Sequence, residues 1–374
     1  MRGNLMKYKV PFVNAPEHFR SLEGEILSAI KNVLSRGDLI MRGDLEDFES
    51  NLASFTKTKY AIGLNSGTDA LYFSLKALNI GDGDEVITVS HTFVASISAI
   101  VFAGAKPILV DVRDDFNMDM DVLEDAITPK TKAIIPVHLN GHMCSMGRLM
   151  EIAEKHNLFV IEDAAQSLGA KFKGKMAGSF GITGCFSFYP FKLLGAFGDA
   201  GAVVTNKEAV AEKIRLLRDH GQKTKTELVC YGFNSRLDNL QAAILNVKFK
   251  YLPDWIERRR QIAGIYNKEL SDIPQVKLPP KSDEDFYDVY QNYVLRVKER
   301  DKLYEFLKEK GVETLIKDPI PLHFQKGLAL SHFHLPYSEQ LAGEVISLPI
   351  YPELTSEQIE YVVECIHDFT GISN

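Results

Sequence analysis

The sequence predicts an α/β fold: a large domain with a mixed or parallel sheet and a smaller α+β domain at its C-terminal end. Short apolar runs alternate with amphipathic helical segments between residues 59 and 245, a pattern typical of parallel strands joined by crossover helices. After Pro274 the chain becomes rich in turn residues and then provides further strand and helix. We therefore assign residues 1–250 to the large domain and residues 251–374 to the small one.

The individual elements follow from periodicity. Leu22, Ile26 and Ile30 recur at i, i+4 spacing and predict a first helix over HFRSLEGEILSAIKNVL. A long helix from NLQAAIL onward is predicted to break at Pro253, and Thr355 or Ser356 is expected to cap the last helix. Most of the predicted strands are apolar throughout, as expected of strands that are buried on both faces. These strands are KYAIGL, EVITV, KPILVDV, KAIIPV, LFVIED, CFSFY and GAVVT.

Composition limits the class of protein. The 374 residues are 45% hydrophobic and 25% charged with a net charge of −7, which predicts a globular protein without a basic nucleic-acid surface. No run approaches the roughly 18 apolar residues of a membrane span, and MRGNLMKYKV lacks the apolar stretch of a signal peptide. The four cysteines are far apart, so we expect free thiols and a cytoplasmic location. The histidines show no HExxH spacing, so no metal site is predicted.

An acid and a lysine mark the stretch of greatest chemical interest. Asp163 ends the apolar run LFVIED, and Lys192 is the only charged residue between Lys175 and Asp199. Schiff-base chemistry with pyridoxal phosphate needs an amine that bonds the cofactor aldehyde and a carboxylate that keeps the pyridine nitrogen protonated. Taken singly, the two residues are equally consistent with an acid at a strand end and a solvated lysine.

The segment NSGTDAL, residues 65–71, lies between a predicted strand and a predicted helix. The backbone amides of Gly67 and Thr68 would lie at the helix N-terminus, which suits a phosphate. Simple N-capping by Ser66 or Thr68 is the alternative interpretation. Ser187, five residues before Lys192, would add another hydroxyl to a phosphate site.

Two further residues would suit a flat ring. Gln166 lies three residues after Asp163 and could bond a ring oxygen, and Phe93 could stack on the ring, although an aromatic residue there is more often part of a core. The dinucleotide fingerprint GxGxxG is missing, which disfavours an oxidoreductase with a nucleotide cofactor.

Taken together and in order, these motifs resemble one family. NSGTDAL, GDEVITVSHTFVAS, GAKPILVDV, VIEDAAQSLGA, FSFYPFKLLGAFGDAGA and GFNSRLDNLQAAI resemble the DegT/DnrJ/EryC1/StrS sugar aminotransferases, from about Pro11 to Ile366. The resemblance implies the aspartate-aminotransferase-like fold, that is, fold type I of the pyridoxal-phosphate-dependent transferases. It also implies a homodimer with shared active sites.

The resemblance assigns roles to residues of this chain. Lys192 would form the covalent aldimine with pyridoxal 5′-phosphate, and Asp163 would hold the pyridine nitrogen. Asn234, in GFNSR, would reach the phosphate from the other subunit; a loop cap is the alternative. The full set of implied cofactor-binding residues is Gly67, Thr68, Phe93, Asp163, Gln166, Ser187, Lys192 and Asn234.

The implied reaction moves an amino group from L-glutamate, through pyridoxamine phosphate, to a keto group of a nucleotide-linked sugar. The motifs favour the branch that acts on 3-keto hexoses; a 4-keto sugar and a non-catalytic cofactor-binding regulator are the alternatives. That branch usually has His-Tyr before PIPLH, whereas this chain has Lys317 and Asp318. Lys317 would meet a carboxylate or phosphate on the sugar, unless it is a solvated loop lysine. The candidate substrate contacts are Tyr189, His220, Arg236, Lys317 and His323.

Overall fold

A computed structural model describes residues 8–371 of the chain. Helices and strands alternate over most of its length. The helices are α1 (Ala15–Arg36), α2 (Gly43–Thr56), α3 (Gly67–Ala77), α4 (Ala95–Ala103), α5 (Met120–Leu123), α6 (Met146–Lys155), α7 (Glu208–Arg218), α8 (Asn239–Phe249), α9 (Leu252–Glu269), α10 (Arg300–Glu309), α11 (Pro336–Glu344) and α12 (Ser356–Thr370). The strands are β1 (Tyr60–Leu64), β2 (Glu85–Val89), β3 (Lys106–Val110), β4 (Thr131–Ile134), β5 (Phe159–Asp163), β6 (Lys171–Phe172), β7 (Lys175–Met176), β8 (Thr183–Ser187), β9 (Gly201–Thr205), β10 (Gln222–Thr224), β11 (Glu227–Leu228), β12 (Val276–Lys277), β13 (Phe286–Tyr287), β14 (Tyr293–Val297) and β15 (Val345–Leu348).

A seven-stranded sheet organises the large domain, with the strand order β1-β9-β8-β5-β4-β2-β3. The strands from β8 to β3 pair in parallel, whereas β9 is antiparallel to both of its neighbours, β8 and β1. The mixed sheet confirms the predicted fold class. β9 reverses direction because it follows β8 through an irregular loop, without the crossover helix that a parallel connection requires.

Both faces of this sheet are covered, which explains why its strands are so apolar. On one face, Ile161 and Val203 pack in a core with residues of α3, α4 and α7. On the other face, Val160 and Val204 pack in a core that includes residues of α2, α6 and α8. Consecutive residues of one strand therefore belong to different cores, and neither can be polar without cost.

Residues between 262 and 366 build a second core. Its centre is the antiparallel sheet β12-β14-β15, against which Tyr266, Leu303 and Ile366 are buried. Val10 belongs to the same core and pairs with Val312 in a parallel bridge, so the N-terminal segment contacts the small domain. The boundary at residue 250 remains a prediction; it lies two residues before α9 begins.

The long predicted helix is broken where expected. α8 ends at Phe249, and α9 begins at Leu252 with a proline in its first turn. Proline fits there because the first helical N–H groups have no intrahelical acceptor. Thr355 caps α12 and forms a capping box with Gln358. Within the part of the chain that the structure describes, no helix is long and apolar enough to cross a membrane.

Candidate active site

A cavity of about 520 Å³ opens where several elements of the large domain end. The C-terminal ends of β5 and β8 and the N-terminus of α3 meet there, which is where ligands bind in α/β sheets. The cavity brings together nine of the candidate residues named from the sequence. These are Gly67, Thr68, Phe93, Asp163, Gln166, Ser187, Tyr189, Lys192 and Lys317.

Asp163 is the last residue of β5 and is buried, with 6% of its surface exposed. The Ser96 hydroxyl donates a hydrogen bond of 2.7 Å to one carboxylate oxygen, and the backbone N–H of Ala165 donates to the other at 3.2 Å. Bonds donated to a carboxylate stabilise its charged form. These two bonds hold the carboxylate in place at the cavity. Ser96, on α4, was not identified from the sequence.

Lys192 lies on the loop between β8 and β9. Gln291 holds this loop on both sides of the lysine: its side-chain oxygen accepts from the Leu193 N–H at 2.8 Å, and its side-chain nitrogen donates to the Phe191 carbonyl at 2.9 Å. Gln291 is itself buried and belongs to the segment that leads into β14. The backbone of the lysine is thus fixed by the small domain. Sequence reasoning also missed Gln291.

The electrostatics of the cavity favour a neutral lysine. Burial and, to a smaller extent, the positive charge of Lys317 together lower the pKa of Lys192 to about 7, while the negative charge of Asp163 opposes both effects. A lysine amine is nucleophilic only when it is unprotonated. At neutral pH a large fraction of Lys192 is therefore able to attack an aldehyde.

The start of α3 forms an anion site. The Ser66 side chain caps the helix by accepting a hydrogen bond from the Asp69 N–H at 3.1 Å. The N–H groups of Gly67 and Thr68 have no intrahelical acceptor, because they belong to the first turn. The helix lies close to β8: a Cβ added to Gly67 would be only 2.8 Å from the Cβ of Ser187. The glycine thus allows the free amides and the Ser187 hydroxyl to share one site.

Gln166 is oriented by its neighbours. Its side-chain oxygen accepts from the backbone N–H of Asn140 at 2.9 Å and from the side-chain amide of Asn292 at 3.3 Å. With the oxygen engaged, the amide NH₂ group remains as a donor. Phe93 also lines the cavity and is 58% exposed, so its ring is not part of a core.

The structure does not bring His323 to this cavity. Its side chain is fully buried, shares a hydrogen bond of 2.7 Å with the Ser90 hydroxyl, and lies 3.3 Å from Glu339. Both ring nitrogens are therefore engaged within the protein. The side chain thereby joins the end of β2 to α11, and the expected contact with substrate stays a prediction.

His220, Asn234 and Arg236 also lie outside the cavity of their own chain. His220 is exposed with a φ of +57°, and the Arg236 guanidinium bonds Asp219 at 3.1 Å and the Asn234 side chain at 2.8 Å. They lie at the base of the β10–β11 hairpin, which projects from the large domain. Their expected contacts with cofactor and substrate stay predictions.

The residues present fit pyridoxal phosphate. A buried carboxylate suits the pyridinium nitrogen, a lysine of lowered pKa suits the aldehyde, and a helix N-terminus with a serine hydroxyl suits the phosphate. Within residues 8–371, no three His, Cys, Asp or Glu side chains form a group that could hold a metal ion. The four cysteines are free thiols, as expected.

Comparisons with known proteins agree with this fit. The model of the DegT/DnrJ/EryC1/StrS aminotransferase family matches residues 20–367. The dTDP-3-amino-3,6-dideoxy-alpha-D-galactopyranose transaminase of Aneurinibacillus thermoaerophilus is 44% identical over 96% of this chain and 99% of its own length. The pleiotropic regulatory protein of Geobacillus stearothermophilus is 43% identical over 96% and 98%.

Solved structures show the same likeness. The crystal structure of S. venezuelae DesV in complex with a ketimine intermediate matches with a TM-score of 0.94 at 39% identity, covering 98% of this chain and 99% of that one. Family, fold and cavity thus agree. The chain belongs to the DegT/DnrJ/EryC1/StrS family and is a pyridoxal-phosphate-dependent sugar aminotransferase.

Proposed function

We propose that this enzyme transfers the amino group of L-glutamate to the 3-keto group of a nucleotide-linked hexose. The observation that carries the proposal is the cavity in which Asp163, Lys192 and the N-terminus of α3 converge. The 44% identical relative is named as a transaminase of a 3-amino sugar, which supports the choice of C-3. Glutamate is proposed because it is the donor that the family resemblance implies.

When bound, pyridoxal phosphate supplies an electron-accepting ring. The amine of Lys192 takes the α-proton of the amino donor and, in the reverse half of the reaction, returns a proton to the sugar carbon. Asp163 keeps a proton on the pyridine nitrogen, and Ser96 keeps the carboxylate pointed at it. Lys192 can act as a base near pH 7 because burial lowers its pKa.

The remaining lining residues position the reactants. Gln166 donates to the ring hydroxyl, Phe93 covers one face of the ring, and Gly67, Thr68 and Ser187 bind the phosphate. Tyr189, which is 47% exposed at the cavity, is placed to contact the sugar. These roles are supported by the cavity that the residues share. The amide NH₂ group of Gln166 and the backbone N–H groups of Gly67 and Thr68 are also free to donate.

We further propose a cytoplasmic homodimer in which each subunit completes the other's site. Asn234 would reach the partner's cofactor phosphate, with His220 and Arg236 beside it near the partner's substrate. The support is that all three residues lie outside their own cavity and next to an exposed hairpin. The free cysteines support a reducing compartment.

The direct test is mass spectrometry of products from a panel of 3-keto and 4-keto nucleotide sugars incubated with glutamate. We expect an amino sugar from a 3-keto substrate, formation of 2-oxoglutarate in equal amount, and no product with Lys192→Ala. Turnover of 4-keto sugars alone would overturn the assignment to C-3.

A regulatory role is the second candidate, because the 43% identical relative carries the name of a regulatory protein. The same panel separates the two. Cofactor binding without any amino sugar from the panel would favour a regulator, whereas glutamate-dependent product would exclude a purely non-catalytic role.

A further inference from the structure

Lys317 enters the active-site cavity from the small domain. Two residues earlier, Leu315 pairs with Ser347 of β15 through two backbone hydrogen bonds of 2.9 and 3.1 Å. The next residue, Asp318, has a φ of +53°, a left-handed conformation that turns the chain sharply. A lysine from one domain is thereby placed in the cavity of the other.

Within residues 8–371, no carboxylate forms an ion pair with the Lys317 ammonium. Its side chain is partly buried, and no described residue forms a hydrogen bond with it. The charged neighbours are Asp318, Asp163 and Lys192, and burial is the main cause that lowers the pKa of Lys317. His91 adds no charge, because burial and the nearby Lys317 lower its pKa to about 4.

Two carboxylates act on the lysine through their charge, but neither forms an ion pair with it. Asp163 is bonded to Ser96 and faces the pyridine nitrogen in the proposed function. Asp318 is half-buried and forms no ion pair with Lys317; burial raises its pKa, and the charge of Lys317 opposes that rise. Asp199 lines the same cavity but is exposed and forms no ion pair with Lys317. A buried charge without a partner is costly, so the site gains from an anion that a ligand brings.

We propose that Lys317 binds a carboxylate of the substrate, carried either by the amino donor or by the sugar. This inference rests on the proposed function. The ammonium is close enough for its charge to act on the amine of Lys192, so the anion it binds lies near the reacting carbon. A carboxylate of the donor or an acid group on the sugar ring can reach that place, whereas the nucleotide phosphates lie beyond the sugar ring.

Binding of glutarate to the cofactor-loaded protein tests the proposal without turnover. Glutarate carries two carboxylates and no amine, so it cannot react. Calorimetry on Lys317→Gln is expected to show a Kd raised by roughly ten- to a hundredfold, the range for a hydrogen bond to a charged group. Lys317→Arg should retain most of the affinity. Lys326→Gln is the matched control, because it removes one exposed charge nine residues later in the same connection.

The two half-reactions distinguish the sources of the carboxylate. A slower first half-reaction with glutamate, seen in the cofactor absorbance of Lys317→Gln, would assign the donor. A slower second half-reaction with a 3-keto uronic acid, but not with the neutral 3-keto hexose, would assign the sugar. Equal glutarate affinity in wild type and Lys317→Gln would overturn the proposal. If wild type fails to react with glutamate while glutarate binding still depends on Lys317, the proposed function fails and the carboxylate site stands.

Discussion

Lys192 must provide an amine for the cofactor aldehyde, and that amine must be unprotonated when the cofactor binds. Burial lowers its pKa to about 7 in the cofactor-free protein. The neutral fraction rises with pH, so the rate of cofactor uptake by the apoprotein should rise with pH and reach half of its maximum near 7. An ordinary lysine would place that midpoint near 10.4. Stopped-flow absorbance across a pH series measures it.

The control for this pH profile is Lys317→Gln. The charge of Lys317 lowers the pKa of Lys192, so removing it should raise that pKa and move the midpoint to higher pH. Lys326→Gln should leave the midpoint unchanged. A midpoint that is the same in Lys317→Gln and wild type would show that the two lysines do not interact.

At the residue scale, the sequence indicates the candidate catalytic residues but not the residues that position them. Asp163, Lys192 and Gly67 stand in short motifs that can be interpreted locally. Ser96 bonds Asp163 from 67 residues away, and Gln291 bonds the Lys192 loop across about a hundred residues. A serine on an apolar helix and a glutamine before a strand carry no local signal, so only the folded chain identifies them.

At the scale of elements, the close approach of α3 to β8 yields a prediction with a matched control. Gly67→Ala would place a Cβ 2.8 Å from the Cβ of Ser187 and 3.3 Å from its Cα, so the helix must shift and carry its free amides away. We expect cofactor affinity to fall by about tenfold or more, as overpacking typically costs 1–3 kcal/mol. Fluorescence titration of the apoprotein with pyridoxal phosphate measures this affinity.

The control is Gly43→Ala. Gly43 is likewise the first residue of its helix, α2, but an added Cβ meets nothing within 4 Å. Its cofactor affinity should equal that of wild type, and the protein should be no less stable, since alanine favours helix. A similar loss of affinity in both variants would point to a general effect of the added methyl group.

The order of elements was largely predictable because buried strands are short and apolar and helices keep their period. The direction of a strand was harder to predict. Nothing in GAVVT shows that β9 is antiparallel to its neighbours, since strand direction depends on the connection to the preceding strand. The segment between α10 and α12 is rich in proline and histidine, which favours a loop, yet it contains α11 and β15. Pro336 opens α11 at a position where proline is tolerated.

At the scale of the whole molecule, the β10–β11 hairpin is the most evident sign of a partner. Leu228 is 67% exposed, Val229 is 47% exposed, and Tyr231 is fully exposed. Apolar side chains grouped on a projecting hairpin usually mark an interface. Behind them, the Ser235 hydroxyl bonds Asp69 at 2.6 Å and Asn65 at 3.1 Å, which ties the base of the hairpin to the start of α3. The base of the hairpin therefore lies next to the proposed phosphate site at the start of α3.

Mixing two inactive variants tests whether active sites are shared across this surface. Lys192→Ala lacks the amine, and Asn234→Asp would place a negative charge against the partner's cofactor phosphate. If Asn234 acts in the partner's site, a mixed dimer contains one site with both native residues. Because random exchange of equal amounts gives half mixed dimers, about a quarter of all sites should regain activity. If Asn234 acts only within its own chain, every site stays defective and mixing restores nothing. Light scattering on each variant confirms that both remain dimers, so that a negative result cannot come from dissociation.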